Sequence, residues 1–138
     1  MIPEDLAYLH HICDAITHIE DFSKNISTAA ELTDSVLERA GVERMLITIG
    51  EAVKNLSPQL RREYPYIPWR ETAGTRDKIV HHYFGVDYDS VFETIKIDLP
   101  ELKQQIEAIL ATATRIPTVD ERKKKIKSHR KKGDNVGQ

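Results

Sequence analysis

Cysteine occurs once in the 138-residue chain, at Cys13, so no internal disulfide can form and a reducing compartment suits it. No apolar run approaches the roughly 20 residues that span a bilayer. The opening Met1-Ile2-Pro3-Glu4-Asp5 is acidic and lacks the basic and apolar regions of a secretory signal, so a cytoplasmic location is expected. The chain has no strand-period segment of useful length, no internal repeat and no phosphate-cradling glycine loop. What remains is helical periodicity. The fold class read from it is all-α, an antiparallel bundle of four to five helices.

With 40% hydrophobic and 30% charged residues the chain is globular, and its length suits one core. The net charge of −2 conceals an asymmetry. From Asp120 to Gln138 eight Lys or Arg face three Asp or Glu, which leaves twelve against nineteen for the residues before them. A helical domain over residues 1–115 is therefore expected, followed by a basic, mobile tail over 116–138. The acidic body argues mildly against broad binding of nucleic acid through its surface.

Pro3 opens a first helix in which Leu6, Leu9, Ile12, Cys13, Ile16, Ile19 and Phe22 recur at three- and four-residue steps. Cys13 falls in that stripe and reads as a small buried hydrophobe. His11 and His18 share a face but lack a third and fourth metal ligand, so no metal site is expected. Thr28-Ala29-Ala30-Glu31 has the form of a capping box. A long second helix is expected from Ala29 or Asp34 to Leu56, apolar on more than one face and so buried against several partners, another subunit among them. Gly41 and Gly50 are costly inside it, which points to close approach of a neighbouring backbone. Glu51 is a carboxylate of a site or a surface residue. Beyond Ser57-Pro58, a short helix from Gln59 to Tyr64 and the turn Ile67-Pro68-Trp69-Arg70 make a proline-punctuated, locally basic connection that can border a phosphate groove. Asp87 or Ser90 caps a further helix. Asp98-Leu99-Pro100 starts or kinks the last one, which Pro117 ends.

Between these lies Thr75-Arg76-Asp77-Lys78-Ile79-Val80-His81-His82-Tyr83-Phe84-Gly85. Gly74 is expected to break the preceding segment, Thr75 to cap a new short helix and Gly85 to end it. At about 100° per residue, Arg76 and Tyr83 fall nearly on one face, while His81 and His82 point roughly 140° and 240° away from Arg76. One copy does not converge its polar groups; two facing copies can, a first hint of a dimer. Arginine with histidine, without a carboxylate cluster or cysteine ligands, suits metal-independent phosphodiester chemistry. A neutral and a charged imidazole can serve as base and acid, and a guanidinium can hold the extra charge on phosphorus. Arg76 in a first helical turn would also gain from free backbone amides. The spacing alone also occurs in purely structural helices.

Arg76, His81 and Tyr83 form an R-x-x-x-x-H-x-Y motif that resembles the motif of HepT-like toxins, a branch of the HEPN superfamily. Ile49-Gly50-Glu51-Ala52, Ile67-Pro68-Trp69-Arg70, His82-Tyr83-Phe84-Gly85-Val86-Asp87 and Asp98-Leu99-Pro100-Glu101-Leu102 resemble segments of the same family in the same order. The resemblance runs over roughly residues 4 to 114. It implies a HEPN fold, a homodimer whose paired motifs line one cleft, and an RNase toxin without a cofactor. Its implied partner is a small MntA-type nucleotidyltransferase antitoxin that transfers AMP from ATP to the motif tyrosine. By that resemblance Arg76 would stabilise the scissile phosphate, His81 would be acid or base and Tyr83 the AMP acceptor. His82 stands at a variable position and is auxiliary. Asp77 replaces the asparagine of many relatives and adds a charge that would weaken RNA binding.

Overall fold

A computed structural model describes residues 1–81 and 85–114. Four long helices carry the core: α1 (Pro3–Ser23), α3 (Val36–Asn55), α5 (Trp69–His81) and α7 (Leu99–Thr114). Three six-residue helices, α2 (Ala29–Asp34), α4 (Pro58–Glu63) and α6 (Tyr88–Glu93), complete an all-α chain with no strand among the described residues. The 116–138 tail and Pro117 lie outside them.

The stripe on α1 becomes the centre of the core, with Leu9, Ile12, Ile16 and Ile19 fully buried. It packs against α3, which brings Val42, Leu46, Ile49 and Val53, and against α7, which brings Leu102, Ile106 and Ile109. Burying each such side chain contributes about 1.5–3 kcal/mol before chain entropy is counted. Cys13 is half-buried in this stripe, where burial and the nearby Glu107 carboxylate push its thiol up to about 11. His18 stacks on Phe22, at 6.0 Å between ring centroids.

Of the two starts expected for the long second helix, the later one is close: α3 begins at Val36, and Ala29–Asp34 forms a separate helix. Ser35 leaves the helical region (φ −89°, ψ 78°), and its N–H donates to the carbonyls of Glu31 and Leu32, ending α2. Arg39 secures the kink from the other side, its Nη1 donating to the Thr33 carbonyl at 2.6 Å. The break lets α2 lie against α6 while α3 stays packed on α1 and α5. Val36 and Leu37, part of the apolar surface of the long helix, are 63% and 81% exposed at the start of α3. The cap of α2 is nearly the one read from sequence: Thr28 Oγ1 accepts from Glu31 N–H, and Glu31 reaches back to the N–H of Ser27.

Asp87 is the cap of α6, its carboxylate accepting from the N–H groups of Asp89 and Ser90. A five-residue π-helical turn, Thr94–Asp98, then leads into α7. Pro100 explains it, because it lacks an N–H and its ring would strike the carbonyl four residues back in regular α geometry.

Sequence inspection missed the role of Asp5. Its carboxylate is fully buried and accepts from the Ser57 N–H at 2.8 Å and the Ser57 hydroxyl at 2.7 Å. Ser57 Oγ in turn accepts from Leu60 N–H, so one carboxylate ties the start of α1 to the cap of α4. Replacing Asp5→Ala leaves two half-buried donors of Ser57 without their acceptor and should destabilise the fold by about 1–3 kcal/mol in urea unfolding. The Cys13 shift, from 9.0 to about 11, leaves ~100-fold less thiolate at pH 8 than an unperturbed thiol carries, and iodoacetamide should alkylate it correspondingly slowly in the native state.

Candidate active site

Helix α5 carries the residues singled out from the sequence, but it begins earlier than Thr75. The Pro68 carbonyl accepts from the Thr72 N–H and hydroxyl, and Trp69 is the first helical residue. Trp69 is buried and donates from Nε1 to the Tyr64 carbonyl at 3.0 Å, which closes the preceding turn. Gly74 and Thr75 are interior, the Thr75 hydroxyl bonding back to the Glu71 carbonyl at 3.2 Å instead of capping anything. Arg76 therefore lies in mid-helix and not in a first turn, so free backbone amides do not assist it. The helix forms through Gly74 because packing on α3 outweighs a propensity cost of about 1 kcal/mol.

That packing converges on one contact. Gly50 of α3 is buried directly beneath Arg76; a Cβ there would collide with the Arg76 Cβ and lie 3.3 Å from its Cα. Gly41 plays the same part against the Phe22 ring, at 2.9 Å from where a Cβ would stand. The close backbone approach expected of both glycines is realised for Gly50, against α5; Gly41 instead makes room for a side-chain ring of α1.

Around Arg76 the charges alternate. Its Nη1 donates to Asp77 Oδ1 at 3.2 Å, and its Nη2 lies 3.9 Å from Glu51 Oε1. Lys54, one turn beyond Gly50, reaches the same Asp77 oxygen at 2.5 Å. Lys54, joined by Arg76, holds the Asp77 carboxyl below its ordinary value. Arg76 Nε is buried and has no hydrogen-bond partner. An unsatisfied buried donor costs about 1–3 kcal/mol, so the guanidinium is not fully served by its two carboxylates. Ion pairs this exposed are weak, and a phosphate offering two acceptors to the fork can displace them.

The structure thus gathers Arg76, Asp77 and Glu51 into one network. Lys54 belongs to it and was missed, although its four-residue step from Gly50 was readable. His81 is the last residue of α5, exposed, and about 140° round the helix from Arg76, so it does not join the network in one chain. His82 and Tyr83 lie outside the described residues. Among those described, no three of His, Cys, Asp and Glu gather into a metal-binding group, and no helix is long and apolar enough to cross a membrane.

An all-helical chain with an arginine and a histidine on one helix is consistent with the HEPN-type class of folds. The family model described as "Ribonuclease HepT-like" matches residues 12–109, and the chain belongs to that family. It is 42% identical over 104 residues to the Methanocaldococcus jannaschii protein named "Putative RNase MJ1216", covering 75% of this chain and 85% of that one. It is 46% identical to "Putative RNase TTE0752" of Caldanaerobacter subterraneus over 75% of this chain and 91% of the relative. With "Probable ribonuclease HepT" of Thermococcus cleftensis it shares 44% identity over 74% and 92% of the two chains. No solved structure gives a significant match.

Gly50→Ala should force α5 off α3 and cost about 1–3 kcal/mol in chemical denaturation. Asp77→Asn tests the charge network through pH. Because the folded carboxyl titrates below its usual 3.8, its contribution is complete above that value and is lost as pH falls through the lower folded one. The variant should match the parent's slope of stability against pH above pH 5 and show a shallower acid limb below 4.

Proposed function

We propose that the protein is a metal-independent endoribonuclease, the toxin of a two-component toxin–antitoxin pair acting in the cytoplasm. The observation that carries the reading is Arg76, held by backbone contact on Gly50 yet incompletely hydrogen-bonded, in a chain of the HepT-like family. In the reaction Arg76 binds the scissile phosphate and neutralises the charge that grows on its oxygens. His81 acts as base toward the ribose 2′-hydroxyl or as acid toward the departing 5′-oxygen, with His82 auxiliary. The 2′-oxygen attacks phosphorus, the bond to the 5′-oxygen breaks, and the proton passes to that oxygen. Since one helix turns Arg76 and His81 apart, the full set requires a homodimer whose two α5 helices face one cleft.

Regulation would act through the same sequence motif. A small MntA-type nucleotidyltransferase would bind ATP and transfer AMP to the hydroxyl of Tyr83, seven positions after Arg76 in the sequence, releasing pyrophosphate. The negatively charged nucleotide would then repel RNA from the guanidinium. A second reading, a non-catalytic helical dimer that holds a nucleotidyltransferase or a nucleotide, draws on Glu51 and Asp77, which already pair with Arg76.

Purified protein should cleave RNA in the presence of EDTA. Arg76→Ala should lower kcat by about 100- to 1,000-fold and His81→Ala by at least about 100-fold, with both variants folded by circular dichroism. Undiminished cleavage by both would refute the assignment. Incubation with the neighbouring nucleotidyltransferase and ATP should add one AMP mass to the parent and none to Tyr83→Phe.

A further inference from the structure

Helix α5 divides two grooves of opposite character. On the side of α3 and α7, a groove of about 460 Å³ carries the carboxylates of Glu71, Asp98 and Glu101. On the side of α4, a groove of about 630 Å³ is lined by Arg61, Arg62 and Arg70 with Pro58 and Trp69, and it runs to Asp77. None of the three arginines forms an ion pair or side-chain hydrogen bond with a described residue. In a body with excess negative charge, three unpaired guanidiniums on one groove are not dispersed surface charge.

The floor of the groove is equally specific. Arg70, Ala73, Gly74 and Asp77 follow one face of α5 at three- and four-residue steps. Nothing lies within 4 Å of where a Cβ of Gly74 would stand. Unlike Gly41 and Gly50, this helical glycine is not needed for packing; its effect is to keep the floor low. Asp77, whose carboxylate Arg76 holds, is part of the lining, which brings the groove to the neighbour of Arg76.

We propose that this groove is the track by which a single-stranded stretch of RNA reaches Arg76, with Arg61, Arg62 and Arg70 binding its phosphates and Gly74 admitting the backbone. The proposal rests on the ribonuclease reading for the chemistry at its end, but not for binding. Attack by a 2′-oxygen in line with the leaving oxygen requires a flexible, unpaired nucleotide, and an arginine-lined track can follow such a strand along its phosphates.

The test uses the full chain and a fluorescent 20-nucleotide RNA, fully 2′-O-methylated so that it cannot be cleaved. The combined variant Arg61→Gln, Arg62→Gln, Arg70→Gln should bind it about 10-fold or more weakly near 0.1 M salt. Its slope of log affinity on log salt should fall by about 2, from roughly 0.7 per lost phosphate contact. The corresponding triple lysine variant should keep the parent's slope, and Gly74→Gln should weaken binding while leaving the slope unchanged. Parental affinity and slope in the glutamine variant, with unchanged thermal unfolding, would overturn the proposal. So would loss only of a protein partner, or absence of RNA binding by the parent. If the parent binds through the arginines yet cleaves no unmodified RNA, the track stands and the ribonuclease reading falls.

Discussion

The contact between Gly50 and Arg76 governs the geometry of the site. Where two helices touch backbone to Cβ, neither can slide without a clash, so the root of the Arg76 side chain is fixed by close contact. A long, flexible side chain gains directional value only from such a fixed base. The same closeness buries Nε and limits the guanidinium to the small set of acceptors that α3 and α5 supply.

That set is electrically balanced. Glu51 and Asp77 face Arg76 and Lys54, two anions against two cations, with side chains between a quarter and a half exposed. Such a network keeps the arginine in place at small energetic gain and leaves it open to exchange. A phosphate diester meets the planar fork with two oxygens, a better match than one oxygen of Asp77 and a distant one of Glu51. The charge asymmetry of the two grooves flanking α5 adds direction, since an anion is attracted from the α4 side and repelled from the α7 side.

Much of this was legible in the chain. The stripe on α1, the box at Thr28 to Glu31, the Asp87 cap and the close-approach role of Gly50 all follow from local rules of period, capping and size, and each is realised. Local rules failed where two of them competed. Gly74 and Thr75 read as a break and a cap, but α5 runs through them because Trp69, Ile79 and the Arg76 contact anchor the helix on both sides. Asp34 is one of the two starts read for the long helix, and the chain turns beside it, at Ser35, so that α2 and α3 can satisfy different neighbours.

By itself, the sequence determined the class of the fold, the helix that bears Arg76 and His81, and the positions where only glycine fits, since these depend on spacing and side-chain size within one segment. The tertiary structure alone decided that Lys54 and Glu51 share Arg76 with Asp77, that Asp5 anchors Ser57, and that unpaired arginines of α4 and α5 border one groove. Those pairings join residues up to 52 positions apart, and no local periodicity records which helix faces which.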